Sequence, residues 1–413
     1  MSEAIDALVA GREHELVAFR RRLHARPELS YREHATTEAL VERLQVAGLS
    51  PRVLEIGTGV VCDVPGNAPG PLVVLRADID ALAMPDGTDT DYRSREPGVA
   101  HACGHDAHTA VVLGAGLVLR ALTEVDRVPG TVRLVFEPAE EANPGGAIAV
   151  VEEGWITGAA YVLGLHCDPK IDVGQVGLRV GRLTAASDAV EIVLRGPGGH
   201  TARPHLTVDL IDVAARLVQA FPGDVAERIG SDDDVVIVFG AVHAGDASNV
   251  IPATATLRCS VRCADRNAWE RAEAAVRESV PAILEGSGAD YDIRYLRGAP
   301  PVVNDAAAID LLDRAARDVV GDRGVVEAPE SMGADTFAWY GDVAPSAYAR
   351  LGTHSGDRPR RDLHASTFDI DERAIGIGAQ AQPYSSLKSC RAGVPFPSTS
   401  SQSKLRNPNN LTT

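Results

Sequence analysis

The chain has 413 residues, 45% of them hydrophobic, enough to bury a large core divided between two or more domains. A formal net charge of −17 argues against nucleic acid and anionic membrane as partners. No apolar run approaches membrane-spanning length, and the opening Met-Ser-Glu-Ala-Ile-Asp lacks a basic region followed by an apolar one, so a soluble cytoplasmic protein that keeps its six cysteines as thiols is expected.

Residues 7–23 and 34–46 read as helices, the second closed by Gly48, with a turn at His24-Ala-Arg-Pro between them. Strands rich in Val, Ile and Leu are predicted over 52–64 and 72–78. A helix follows over 110–122, then a strand over 131–136, a helix over 146–153 and a strand over 161–166. This alternation implies an α/β layer with a largely parallel sheet and helices on both of its faces. After Gly181 the pattern changes. Strands over 188–194, 234–242, 254–262 and 291–295 and helices over 208–221 and 268–284 follow the order β-α-β-β-α-β, a four-stranded antiparallel sheet backed by two helices. Cys259 and Cys263 fall on one of these strands and read as packing. Helix-strand alternation resumes at 306–319, with strands near Val325 and Ala347. The expected architecture is thus two-domain α/β: 1–181 with 298–379 form a discontinuous catalytic domain, and 182–297 form an inserted α+β domain. From Gln380 onward there is no Asp or Glu, Ser, Pro and Asn cluster, and two of the three lysines appear. Residues 380–413 are therefore expected to be disordered, and the abrupt shift suggests a frameshifted or appended sequence.

The run His101-Ala-Cys103-Gly-His105-Asp106 carries the first chemistry. Residues two apart in an extended or turning segment project to one side, so Cys103 and His105 can close on one ion while Gly104 bends the backbone. A thiolate with an imidazole favours zinc or a similar transition metal; a buried Cys beside an ordinary surface His is the alternative reading. Asp106 suits an N-cap of the helix that follows, or an acid that orients an imidazole. The strand over 131–136 runs into Glu137-Pro-Ala-Glu140-Glu141, which places carboxylates in the crevice at the carboxyl end of a parallel sheet. One glutamate there could hold a metal and the other act as a general base, or both could be a solvated acidic turn. His166 ends the next strand, and His364 precedes Asp369-Ile-Asp-Glu.

Together these motifs resemble the M20 metallopeptidase family, in particular its amidohydrolase branch of N-acyl-amino-acid hydrolases such as hippurate and auxin-conjugate hydrolases. The resemblance covers about residues 15–378. It rests on Arg21-Arg-Leu-His24-Ala-Arg-Pro-Glu-Leu-Ser, Leu75-Arg-Ala-Asp78-Ile-Asp-Ala-Leu, the Cys103 run, Phe136-Glu-Pro-Ala-Glu-Glu, Gly164-Leu-His166, Gly196-Pro-Gly-Gly-His200-Thr-Ala-Arg-Pro-His, Ser248-Asn249-Val-Ile-Pro and Leu363-His364. It implies two divalent ions, zinc or manganese, held by Cys103, His105, Glu141, His166 and His364, with Glu140 as catalytic base. It further implies that the inserted domain is a lid and dimerisation unit forming a homodimer, with His200 reaching the substrate and Asn249 and Arg262 binding it. Asp78 lies where the family has an acid near the metals, and either it or Asp106, which follows His105, could orient an imidazole. The implied reaction is hydrolysis of the amide bond in small N-acyl amino acids or related conjugates. A dipeptidase or aminopeptidase of the same family, or a non-catalytic metabolite-binding member, are the alternatives. Three departures bear on specificity: Glu137 stands where the family usually has Gln, 142–146 reads Ala-Asn-Pro-Gly-Gly, and 333–337 reads Gly-Ala-Asp-Thr-Phe. The family also normally closes with a helix running past Gly378, which the tail composition puts in question.

Overall fold

The computed structural model describes residues 2–230, 234–357 and 359–391. The amino-terminal part supplies helices α1 (Ser2–Ala10), α2 (Glu13–His24) and α3 (His34–Val46), then strands β1 (Arg52–Val53), β2 (Val60–Pro65) and β3 (Ala68–Asp78). It continues with α4 (His105–Leu122), β4 (Pro129–Glu137), α5 (Ala147–Glu152), β5 (Ala159–Asp172), β6 (Val176–Leu178) and β7 (Gly181–Arg182). Next come β8 (Ala186–Arg195), β9 (Gly199–His200), α6 (Leu210–Ile229), β10 (Val235–Ala244), β11 (Val250–Ile251), β12 (Thr254–Cys263), α7 (Arg266–Leu284) and β13 (Asp290–Leu296). The remaining described elements are β14 (Val303–Asn304), α8 (Ala306–Val320), β15 (Val325–Glu327), β16 (Ser346–His354) and α9 (Arg373–Arg391).

Eight strands form one mixed sheet in the order β1-β2-β4-β3-β5-β16-β6-β15. Its centre, β4-β3-β5-β16, is parallel. Strand β3 shows why its sequence is apolar throughout. Val73, Leu75 and Ala77 pack with α1, α2, α4, α8 and α9 on one face, while Val74 packs with α5 and the Phe337 to Tyr340 turn on the other. From β3 the chain steps to β4 on one side and then to β5 on the other. This reversal opens a crevice at the carboxyl ends of the three strands, where α/β sheets bind their ligands.

The second sheet is antiparallel in the order β10-β12-β8-β13. Its strands alternate, as β8 does with Ala186, Val190, Ile192 and Leu194 buried, because α6 and α7 cover only one face. Asp188 is a buried exception. It accepts hydrogen bonds from Trp269 Nε1 at 3.0 Å and from the Gly298 amide at 2.8 Å, tying this unit to the segment that follows β13.

Four local expectations need correction. The helix predicted over 7–23 is two helices, α1 and α2, broken at Gly11 and Arg12. The strand predicted over 52–64 is the short β1 and β2 joined by a turn. Helix α4 starts at His105, five residues earlier than its apolar run suggests, because polar His105, Asp106 and His108 are buried in its first turn. Most consequentially, residues 380–391, expected to be disordered, continue α9 to Arg391; residues 392–413 of that expectation lie outside the described residues. Ile375, Ala379, Gln382, Ser386 and Ser389 recur at helical spacing and are all buried against the rest of the domain. The stripe was hidden because three of its five positions are polar. The Gln382 amide nitrogen and oxygen and the Ser389 hydroxyl have no hydrogen-bond partner among the described residues. Since a buried unpartnered polar group costs about 1–3 kcal/mol, Gln382→Leu is expected to stabilise the protein by that order, read as a rise in the urea midpoint. An unchanged or lower midpoint would mean that the amide is satisfied by water.

Candidate metal centre

Cys103 and His105 flank Gly104, which caps α4 at φ 92° and so turns both side chains inward. A Cβ on Gly104 would lie 2.9 Å from the Cys167 Cβ, so only glycine fits this turn. Strand β5 brings in His166, and its neighbour Cys167, alongside the turn. The loop before α9 is stitched to the same run by a hydrogen bond from the His364 amide to the Ala102 carbonyl at 2.7 Å. Glu140 and Glu141 follow β4. Three non-glycine residues among those described have a left-handed backbone, Tyr31, Ala139 and His364; Ala139 directly precedes Glu140, and His364 is itself a candidate donor. Such strain costs on the order of 1–3 kcal/mol per residue and persists only where surrounding bonds enforce it. Here the buried Glu33 carboxylate accepts from the amides of both Tyr31 at 3.0 Å and Ala139 at 2.7 Å.

The ligand atoms of Cys103, His105 and His166 lie within 4.8 Å of one another, as do those of Cys103, Glu141 and His364, and those of His105, Glu140 and Glu141. Cys103 Sγ is 3.6 Å from His166 Nε2, and His364 Nε2 is 3.2 Å from Glu141 Oε1. A tetrahedral zinc site has S···N edges of about 3.6 Å and N···O edges of about 3.4 Å, so both pairs fit the donor geometry. His105 Nε2 is buried and makes no hydrogen bond among the described residues, although it lies 3.9 Å from both Glu140 and Glu141. The thiolate, imidazole and carboxylate donor set therefore suits zinc or a similar divalent transition metal.

The acids behind these donors differ in part from those expected. His105 Nδ1 faces Asp80 Oδ1 at 3.1 Å, and Asp80 Oδ2 also accepts from the Glu141 amide at 3.0 Å. Asp80 thus aims His105 Nε2 into the crevice. It was missed although it follows Asp78 by two residues, a spacing that shares a face only while the strand continues. Strand β3 stops at Asp78, and the two carboxylates come to opposite nitrogens of the His105 ring, Asp80 to Nδ1 and Asp78 toward Nε2. Asp78 is bound instead to Arg76 at 2.6 Å and His108 at 2.6 Å, with His105 Nε2 at 3.7 Å. Asp106 neither caps α4, whose cap is Gly104, nor faces a candidate ligand. It accepts from His24 Nδ1 at 2.8 Å and pairs with Arg20 at 2.6 Å. Against the cost of burial, Arg20 and His24 hold its carboxyl well below the usual range. Arg20, fully buried, also reaches Asp369 at 2.9 Å and Glu372 at 3.3 Å, joining α2 to the start of α4 and to the segment after His364.

Glu140 is the remaining acid of the crevice. Its Oε1 accepts from the Thr336 amide at 3.2 Å, which leaves Oε2 toward His105. Burial, with Asp335 and Glu141 nearby, pushes its carboxyl well above the ordinary value. In the smaller unit, His200 sits on the β9–β11 ribbon, where it pairs with Val250, and Asn249 is in the exposed turn just before β11. Arg262 donates to the Met332 carbonyl at 2.5 Å. Among the described residues no hydrogen bond or ion pair joins these three to the crevice donors.

Residues 74–382 match the sequence pattern of peptidase family M20/M25/M40. The chain belongs to this family. A Rhodococcus jostii (strain RHA1) protein carrying the name glutamate--cysteine ligase 2-3 is 42% identical over 89% of this chain, and the chain spans about half, 46%, of that protein's length. The N-acetyl-L-cysteine deacetylase of Bacillus subtilis (strain 168) is 37% identical over 91% of this chain and 88% of its own. The crystal structure of the Bacillus subtilis YxeP protein, a dinuclear metal-binding peptidase of family M20, superimposes with a TM-score of 0.79 at 29% identity, covering 92% of this chain and 99% of that one. As an M20 protein the chain is a metal-dependent hydrolase with the two-unit α/β fold anticipated from its motifs.

Proposed function

We propose that this M20 protein hydrolyses the amide bond of small N-acyl amino acids, with Cys103, His105, Glu141, His166 and His364 holding two divalent ions, zinc or manganese. The observation that carries the reading is the convergence of these five donors from four separate segments on one crevice, with Glu140 beside them. Bound there, the ions would supply Lewis acidity to the acyl carbonyl and lower the pKa of water. Glu140 Oε2 takes the proton of the attacking water and delivers it to the leaving nitrogen, a role favoured by a carboxyl whose pKa burial has raised. Thr336 fixes the glutamate through its other oxygen. His200, from the smaller unit, would donate to the developing oxyanion, Asn249 would bind the substrate amide and Arg262 its carboxylate. Asp80 would hold the His105 ring in place through Nδ1, with Asp78 lying near its Nε2.

A homodimer through the smaller unit is supported by β10, which is an edge strand exposing Val236, Val238 and Val242. The five described cysteines are all unpaired, which fits a reducing cytoplasm, and no described helix is long and apolar enough to cross a membrane. The names of the relatives make a cysteine-derived amide the first substrate to try.

The test is amino-acid release from N-acetylcysteine and a panel of other N-acetyl and N-benzoyl amino acids. Release is expected, is expected to vanish with a chelator, and is expected to return with zinc or manganese. Hydrolysis of free-amine dipeptides alone would instead make the protein a peptidase, and stoichiometric metal with no turnover of any amide would make it a binding protein.

A further inference from the structure

His108 lies one turn after His105 on α4, is 2% exposed, and has no part in the set of five donors. Its ring packs beside two of the candidate ligand imidazoles, with centroids 5.5 Å from His105 and 4.7 Å from His166. Asp78, His105 and His108 come close enough together to suggest a further ion site. The hydrogen bonds exclude it. His108 Nε2 accepts from the Cys167 amide at 2.7 Å, and an amide N–H can only donate, so the proton of the neutral ring is on Nδ1. Nδ1 in turn faces Asp78 Oδ1 at 2.6 Å, and the other Asp78 oxygen is held by Arg76. Both ring nitrogens are therefore occupied, and neither offers a lone pair to a metal.

The Cys167 amide belongs to the peptide that directly follows His166. The next carbonyl, that of Cys167, accepts from His166 Nδ1 at 2.7 Å. The backbone around His166 is thus gripped on one side by His108 and on the other by the His166 ring itself. That grip leaves His166 Nε2 pointing at Cys103. Behind His108 the chain of contacts is rigid: Arg76 is anchored by Glu137 at 2.7 Å, Thr336 at 3.2 Å and the Tyr348 hydroxyl at 3.1 Å.

We propose that His108 is a positioning residue for His166: through the peptide between His166 and Cys167 it fixes the direction of a ligand imidazole without binding metal. The proposal rests on the reading of His166 as a ligand. Three variants test it, with cobalt(II) as the probe ion and binding followed by the visible absorption of the cobalt centre and by calorimetry. His108→Asn places an amide within reach of Asp78 but too short for the Cys167 amide. It is expected to weaken one of two cobalt ions by about 10–100-fold and to alter that ion's spectrum, with full occupancy recovered at high cobalt. His108→Gln, whose longer amide offers both a donor and an acceptor, is expected to recover most of the affinity and the spectrum. Melting of the apo forms shows whether each variant is folded, and the glutamine variant keeps the test decisive should the asparagine one unfold. Wild-type affinity and spectrum in His108→Asn would overturn the proposal. So would loss of an ion that neither high cobalt nor His108→Gln restores, since His108 would then be a ligand. His166→Ala separates the two readings: if it binds both ions as wild type does, His166 is no ligand and both readings fall, whereas wild-type behaviour confined to His108→Asn removes only the positioning role.

Discussion

Replacing Glu140 with glutamine is expected to lower kcat on an N-acyl amino acid by about 10²- to 10⁴-fold while the metal content stays that of the wild type. Glutamine preserves the shape of the side chain, and its oxygen can keep the hydrogen bond from the Thr336 amide. What it loses is the basic oxygen that faces His105. The neighbouring Glu141, which is within 3.2 Å of His364, remains available as a ligand. The change should therefore appear in kcat with little effect on KM, measured by amino-acid release with metal analysis on the same sample. An E140Q enzyme as fast as wild type would place the base elsewhere.

Arg76→Met is expected to destabilise the protein by about 3–5 kcal/mol, the usual result of leaving buried charges without their partner. The guanidinium is 1% exposed and stands among Asp78 at 2.6 Å, Glu137 at 2.7 Å and Asp335 at 3.4 Å. Methionine fills part of the volume and neutralises none of the three carboxylates. Adding Glu137→Gln to the variant is expected to recover part of the loss, because one of the stranded charges is removed. Urea unfolding of the single and double variants measures both effects. A single variant within the error of wild type would show that water reaches these carboxylates.

The departure at Glu137 gains a reason from this cluster. From the motif alone it reads as an extra acid near the active site. In the fold its carboxylate is held by Arg76, Thr336 and Tyr340. A carboxylate there balances a buried arginine rather than joining the chemistry. The tail carries the opposite lesson. Its composition reads as disorder, yet residues up to Arg391 complete a helix whose buried stripe is right in spacing and wrong in polarity. Local composition undervalued it because the site that receives the helix is made by α1, α4 and α8, far away in sequence.

By itself the sequence determined the alternation of strands and helices, the inserted β-α-β-β-α-β unit, and the short motifs that bear Cys103, His105, Glu140, Glu141 and His166. Each of these is local: apolar periodicity reports which faces will be buried, and a turn glycine reports where the chain must bend. Only the tertiary structure decided which acid serves which imidazole. Asp80 faces His105 Nδ1 and Asp78 lies behind Nε2, whereas Asp106 turns to His24 and Arg20. His364 meets Cys103 because its amide bonds the Ala102 carbonyl, a contact across more than half the chain. Arg20, Arg76 and His108 interrupt apolar patterns for partners that no spacing could reveal. A buried polar group is stable only when its particular partner is present, and that partner is chosen by packing between distant segments rather than by the residues beside it.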